Sequence, residues 1–238
     1  CALPISCLAL IEAGDEVLMP DPSYPCNRQF VHAAEGRAVL LPCGADQRYQ
    51  LTLDQVQAHW NKHSRGVLLA SPSNPTGTSM PAQEIKRLYE WVSHQGGVTL
   101  VDEIYLGLGF DAAYGQTALA LGEQVISVNS FSKYFNMTGW RLGWLVVPDS
   151  LVAPIERLAQ NLFICASAIA QHAALACFET ETLGIYEARR EQFKARRDFF
   201  VPELELAGLA VPVMPDGAFY AWADCSQIGR AHVWTPVT

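Results

Sequence analysis

Short apolar runs alternate along the chain with longer stretches in which apolar positions recur every three or four residues. The short runs predict strands, and the longer stretches predict helices. The predicted strands cover residues 16–19, 38–42, 66–70, 98–101, 125–129 and 143–147, and the predicted helices between them cover residues 27–34, 53–63, 82–94 and 151–163. This alternation predicts an α/β fold with a mostly parallel sheet between helices. Residues 67–70 are all apolar, which is typical of a strand covered on both faces.

Beyond residue 163 the helical patterns follow one another without a strand between them. Residues 168–178 are small and apolar, and residues 185–206 predict one long charged helix. Gly208 is a typical residue for the end of that helix, because glycine adopts the left-handed backbone conformation easily. Strand-like segments follow at residues 210–213 and 219–222, on either side of a turn.

This change of pattern predicts a domain boundary near Leu183. Residues 1–183 form the predicted large domain. Residues 184–238 form a linking helix and the start of a small domain of α+β type.

Composition and charge argue against several classes of function. The chain has 24 acidic and 16 basic residues, a net charge of −8, which disfavours a nucleic-acid or anionic-membrane surface. Its seven cysteines form no C-x-x-C pair and indicate free thiols in a reducing compartment. No apolar run reaches the roughly 18 residues of a membrane helix, and no signal peptide is recognisable. We therefore predict a cytoplasmic protein.

Two polar clusters follow predicted strands, where an α/β sheet places its chemistry. In S-P-S-N-P-T-G, at residues 71–77, two prolines fix a loop and orient the Asn74 amide. In V-D-E-I-Y, at residues 101–105, Asp102 emerges from an apolar strand, where a carboxylate is unfavourable without a cation or donors. Taken alone, the first cluster also fits a rigid turn, and the second a helix cap or a structural ion pair.

A third cluster combines hydroxyl groups with cations. S-F-S-K, at residues 130–133, is followed eight residues after Lys133 by Arg141 in T-G-W-R-L-G. Hydroxyls and a guanidinium match a phosphate dianion. Most lysines lie at the surface, but the place of Lys133 at a strand end beside Ser132 argues against an ordinary surface lysine.

In order and spacing these segments resemble the fold type I pyridoxal-phosphate (PLP)-dependent aminotransferases of class I/II, over about residues 7–224. The resemblance implies the large domain of the PLP-transferase fold, with PLP as the cofactor. It implies transfer of an amino group between an amino acid and a 2-oxo acid through a Lys133 Schiff base. It also implies a homodimer for the full-length protein.

The resemblance implies a role for each site residue. Lys133 would hold PLP and move a proton between substrate and cofactor, and Asp102 would keep the pyridine nitrogen protonated. Together with Tyr105 they form the implied catalytic group. The remaining implied contacts are Asn74 and Tyr105 to the phenolate oxygen, Ser130, Ser132 and Arg141 to the phosphate, and Tyr24 of P-S-Y-P against the ring.

Both ends of the chain depart from the family pattern. The glycine-containing turn that binds the phosphate is expected upstream of residue 1, and the arginine for the substrate carboxylate beyond Thr238. Residues 1–6 and 228–238 resemble translated sequencing-adapter sequence and are expected to be foreign. We therefore expect a chain that is truncated at both ends and inactive by itself.

Two other functions remain open at this stage. A PLP-dependent carbon–sulfur lyase on the same scaffold would share every site residue. An aminotransferase-like domain can also serve as the sensor of a transcription regulator. No metal site is predicted, because His59 and His63 lie four residues apart on a predicted helix without a third ligand.

Overall fold

The computed structural model describes residues 2–227. The strands are β1 (Glu16–Asp21), β2 (Arg37–Pro42), β3 (Ser64–Ala70), β4 (Val98–Asp102), β5 (Val125–Ser130) and β6 (Gly143–Val146). The α-helices are α1 (Ala2–Leu10), α2 (Pro25–Ala33), α3 (Leu53–His59), α4 (Ala82–His94), α5 (Asp149–Leu162), α6 (Ala168–Leu175) and α7 (Thr180–Leu206). All of the predicted strands up to residue 147 are therefore present, within a few residues of their predicted bounds.

The strands form one sheet in the order β2-β1-β3-β4-β5-β6. Strands β1 to β5 pair in parallel, and β6 pairs antiparallel to β5. The mostly parallel α/β fold predicted from the sequence is thereby confirmed. Because the strand order reverses between β1 and β3, a crevice is expected at the carboxyl ends of these strands.

Apolar side chains cover both faces of the sheet. On β3, Val67 and Leu69 belong to the core that includes residues of α3 and α4. Leu68 points to the opposite core, which includes residues of α1 and α2. All three side chains are at most 1% exposed. Alternate residues of one apolar run thus fill two different cores, as expected for a strand buried on both faces.

Two helices differ from their predicted bounds. Helix α3 ends at His59 rather than residue 63, because Trp60 is extended (φ −71°, ψ 133°). The chain then turns, with the Ser64 N–H donating to the Asn61 carbonyl at 2.9 Å, and enters β3 directly. Helix α7 begins at Thr180 rather than residue 185, so the boundary near Leu183 falls inside a continuous helix. The division into domains there remains a prediction.

The strands predicted at residues 210–213 and 219–222 are wrong. An isolated bridge between Ala210 and Asp224 is formed instead. The segment between them donates its N–H groups to loops near the sheet rather than to a neighbouring strand. The bonds run from Asp216 and Gly217 to the Gly77 carbonyl at 2.9 and 3.0 Å, and from Ala218 to the Leu108 carbonyl at 3.1 Å. Gly208 follows α7 with φ +86°, as predicted for a helix end.

The first helix packs against the sheet. Leu3 and Cys7 of α1 are buried in the same core as Met19 and Val31. Part of segment 1–6 therefore contributes to the core, and its foreign origin remains a prediction. The segment 228–238 lies outside the described residues. No helix among residues 2–227 is long and apolar enough to cross a membrane.

Candidate active site

A cavity of about 450 Å³ lies at the carboxyl ends of the parallel strands. This volume falls within the range of small-molecule sites, roughly 300–1,000 Å³. All of the site residues predicted from the sequence line it: Tyr24, Asn74, Asp102, Tyr105, Ser130, Ser132, Lys133 and Arg141. The fold thus brings together side chains that come from four separate loops.

The sheet places most of these residues directly. Asp102 and Ser130 are the last residues of β4 and β5, which pair in parallel, so both side chains reach the same edge. Asn74 lies in the loop after β3, and Tyr24 follows β1 and immediately precedes α2. Lys133 comes three residues after the end of β5. These five residues therefore lie at the end of a strand or within four residues of it, rather than in a long flexible loop.

Asp102 lies deep in the cavity and is 8% exposed. The Ile104 N–H donates to Asp102 Oδ1 at 3.1 Å. None of the ion pairs formed within residues 2–227 includes Asp102. Burial raises the pKa of Asp102 from 3.8 to about 6, against the opposing effect of the Ile104 hydrogen bond. A buried carboxylate in this state favours a cationic ligand group beside it.

Lys133 is half-buried near Asp102. Burial lowers the pKa of Lys133, Asp102 acts in the opposite direction, and the positive charge of Arg141 lowers the pKa further. The Nζ atom lies 5.4 Å from the centroid of the Tyr105 ring and 5.7 Å from that of Phe219. A lysine with a lowered pKa more readily supplies the neutral amine that attacks a carbonyl carbon.

Asn74 and Tyr105 converge on a third residue, Tyr220. Asn74 Nδ2 donates to the Tyr220 hydroxyl at 3.1 Å, and the two tyrosine hydroxyl oxygens are 2.6 Å apart. Burial and the Tyr220 hydroxyl raise the pKa of Tyr105, so Tyr105 is protonated and able to donate. Tyr220 also lines the cavity. Sequence reasoning missed it, because G-A-F-Y lies 115 residues after Tyr105 and carries no signal for a site.

The other end of the cavity is more open. The Ser132 N–H donates to the Ser130 hydroxyl at 3.0 Å, and the Thr138 hydroxyl donates to the Ser132 carbonyl at 2.6 Å. Arg141 is exposed and donates to the Thr138 carbonyl at 2.8 Å. Hydroxyls, a backbone turn and a guanidinium form a donor set suited to an anion. The first residues of α1, Ala2 and Leu3, also line the cavity.

A buried carboxylate that the sequence analysis did not single out supports the cavity wall. Glu103 is 4% exposed and accepts hydrogen bonds from Thr117, Ser127 and the Ala118 N–H. Ser127 in turn accepts from Asn129 Nδ2 at 2.7 Å, and Asn129 lines the cavity. This network ties β5 to the loop after β4.

A second polar contact holds the segment of residues 215–220, which brings Tyr220 to the cavity. The buried Asp216 forms an ion pair with Arg48 and accepts a hydrogen bond from the Ser79 N–H at 3.1 Å. Gly77 has φ +67°, and a Cβ atom there would lie 2.8 Å from Pro215. Only glycine therefore allows loop 71–77 to approach this segment so closely. We call this arrangement of Gly77, Arg48 and Asp216 the C-terminal clasp.

No cluster of potential metal ligands occurs within residues 2–227. His59 and His63, four residues apart in the sequence, do not form a common site. His59 is exposed, and its Nδ1 lies 2.8 Å from the Gln55 carbonyl, while His63 lies beyond the end of α3.

A family and several individual proteins are similar to this chain. The sequence model of the family "Aminotransferase class I and II" matches residues 1–234. Valine–pyruvate aminotransferase of Mycobacterium tuberculosis is 38% identical over 222 residues, which cover 92% of this chain and 57% of that protein. An aspartate aminotransferase of Rhizobium meliloti is 33% identical over 227 residues, 93% of this chain and 55% of that protein. The chain thus spans little more than half the length of these relatives.

Solved structures of aminotransferases are also similar to this chain. An aminotransferase from Mycobacterium tuberculosis has a TM-score of 0.88 at 36% identity, with 94% of this chain and 58% of that chain covered. An aromatic aminotransferase from Pyrococcus horikoshii has a TM-score of 0.87 at 28% identity, with 93% of this chain and 60% of that chain covered.

Proposed function

Because the chain belongs to the class I and II aminotransferase family, we propose that it forms the cofactor-binding part of a PLP-dependent aminotransferase. The observation that carries the proposal is the pair formed by Lys133 and Asp102 in one cavity. Burial lowers the pKa of the lysine and raises that of the carboxyl group. Opposite shifts in one cleft are typical of a functional site.

The donor set fits PLP group by group. Asp102, buried without an ion pair among the described residues, suits the cationic ring nitrogen. Asn74 and Tyr105 supply donors for the phenolate oxygen. When bound, PLP supplies an electron sink for the bond that breaks at the substrate Cα. Lys133 Nζ would hold the cofactor covalently, and once freed would carry the proton between substrate and cofactor.

The open end of the cavity fits the phosphate. Ser130, Ser132 and Arg141 provide hydroxyls and a guanidinium, which suit a dianion, and Ala2 and Leu3 of α1 line the same space. Tyr24 is 40% exposed and lines the cavity, where it would stack against the cofactor ring.

The substrates proposed are an amino acid and a 2-oxo acid, which exchange an amino group. A homodimer is proposed as the assembly of the full-length protein, with no nucleic acid or membrane as partner. Support comes from apolar side chains that are more than half exposed on neighbouring segments: Leu162, Ile164, Ile169, Leu175 and Phe178. Patches of this kind commonly mark protein interfaces. A cytoplasmic location is proposed from the cysteine usage.

The first test is whether Lys133 binds PLP. We expect borohydride reduction of the PLP-loaded protein, followed by peptide mass mapping, to place the pyridoxyl group on Lys133. Lys133→Ala should abolish this modification, whereas the matched variant Lys86→Ala, on α4, should retain it. A pyridoxyl group on Lys62, Lys86 or Lys194 instead would refute the assignment.

A second measurement separates the transaminase from its rivals. The protein produced from its complete gene is incubated with PLP and a panel of amino acids, and 2-oxo acids are measured. Amino-group transfer to an added 2-oxo acid supports the proposal. Release of ammonia with a thiol or sulfide would indicate a carbon–sulfur lyase, and PLP binding without turnover would favour a sensor.

A further inference from the structure

We propose that Tyr220 is a positioning residue, which directs the Tyr105 hydroxyl toward the phenolate oxygen of the cofactor. This inference rests on the proposed function, because it concerns the same site. The Tyr220 hydroxyl contacts both groups that would bind that oxygen, Asn74 at 3.1 Å and Tyr105 at 2.6 Å.

The direction of the hydrogen bonds follows from the groups present. An amide nitrogen can only donate, so the Tyr220 oxygen accepts from Asn74. Each tyrosine hydroxyl has one proton to donate. With an anionic oxygen in the cavity, the Tyr105 proton turns toward it, because hydrogen bonds to an ionised acceptor are stronger. Tyr220 then donates its own proton to the Tyr105 oxygen.

This chain of hydrogen bonds makes Tyr105 a better donor. A hydroxyl that accepts a hydrogen bond is polarised and donates more strongly in turn. Without the Tyr220 hydroxyl, the Tyr105 oxygen would accept no hydrogen bond from it, and one Asn74 N–H would lose its acceptor.

The surroundings of Tyr220 hold it in place for this role. Its ring contacts the Tyr105 ring edge to face, with centroids 5.6 Å apart, and packs against Phe219 at 4.8 Å. Asp216 of the C-terminal clasp lies four residues before Tyr220 and fixes the backbone there through Arg48 and Ser79. The hydroxyl is therefore brought to the cavity by packing that does not itself depend on a ligand.

The test is a pH titration of the visible absorbance band of the protein loaded with PLP, for wild type and Tyr220→Phe. The substitution keeps the ring and its packing and removes the hydroxyl. A weaker donor at the phenolate oxygen leaves more negative charge on the cofactor, so the nitrogen linked to Lys133 holds its proton more tightly. We expect the midpoint to rise by roughly 0.5–1 pH unit, as the loss of one net hydrogen bond implies. PLP affinity should fall several-fold.

The control is Tyr89→Phe, which removes a hydroxyl that accepts from the Gln124 N–H and does not line the cavity. It should leave the midpoint unchanged. An unchanged midpoint in Tyr220→Phe would overturn the inference while leaving the proposed function intact. Tighter PLP binding in that variant would also overturn it, because Tyr220 would then compete with the cofactor. A wild-type protein without a Lys133-linked band would overturn both proposals.

Discussion

The two ends of the cavity are built alike, from turns at the ends of neighbouring strands, yet they differ in exposure. At the deep end Asp102 is 8% exposed and Tyr105 is 2% exposed. At the open end Arg141 is exposed, and Ser130 and Ser132 are partly buried. Charges interact strongly where water is excluded and weakly where it is present. We therefore expect the deep end to govern reactivity and the open end to govern affinity.

The largest expected effect is at the deep end, on turnover. Asp102→Asn keeps the size of the side chain and removes the charge that would face the ring nitrogen. Loss of a charged contact in a site shielded from water is worth roughly 4 kcal/mol or more, about a thousandfold in rate. Single-turnover kinetics with a saturating amino acid would measure this, with Asp54→Asn on α3 as the matched control. Near-normal turnover in Asp102→Asn would show that the carboxylate is structural.

A smaller effect is expected at the open end, on the affinity for PLP rather than on turnover. Arg141→Ala should weaken PLP binding about 10- to 100-fold, because a charge-assisted hydrogen bond contributes roughly 1.5–3 kcal/mol. Since Arg141 is exposed, salt should weaken PLP binding to wild type more than to the variant. Equilibrium titrations at low and high ionic strength test this, with Arg87→Ala on α4 as control. Identical salt dependence in both proteins would contradict the expected role.

The smallest effect is on the stability of the fold, and it tests how unfavourable a bare charge is at the deep end of the cavity. The pKa of Asp102 is raised to about 6 in the fold, above its ordinary value of 3.8, so the native state binds the proton more tightly than the unfolded state does. Ionisation of Asp102 therefore destabilises the fold, fully above about pH 6 and progressively less toward pH 4. Cofactor-free Asp102→Asn should be more stable than wild type at pH 8, by at most about 3 kcal/mol.

Denaturant unfolding at pH 8, 6 and 4.5 measures this difference. The advantage of Asp102→Asn should shrink as the pH falls. An advantage that stays constant with pH would mean that burial of the charge is not its cause.

The sequence predicted the elements that carry Asn74, Asp102 and Lys133, because apolar runs ending in polar residues are local signals. It also predicted the sheet, because an uninterrupted apolar run such as that of β3 indicates a strand buried on both faces, and alternate residues of β3 do fill two cores. The end of α3 was predicted four residues too far along, because the turn at Asn61–Ser64 depends on side-chain and backbone bonds that periodicity does not record.

Tyr220 shows what local patterns cannot reach. Its place in the cavity depends on Asp216, which binds Arg48. Arg48 lies 168 residues before Asp216 in the chain. The same kind of long-range contact fixes the turn between the two predicted strands, since the N–H groups of Asp216, Gly217 and Ala218 donate to the carbonyls of Gly77 and Leu108. Such pairings follow from the assembled fold and leave no periodic signal.

The C-terminal clasp also has a consequence for the order in which the protein is made. The Gly77 carbonyl accepts from Asp216 and Gly217, so loop 71–77 acquires its final partners only after nearly all of the described chain has left the ribosome. The sheet and its two cores can form from residues 2–146, which are synthesised earlier. Contacts of such large sequence separation form late, because the intervening chain must first lose its freedom. A nascent chain would thus carry a folded sheet with an incomplete cavity until the segment around Asp216 has been synthesised.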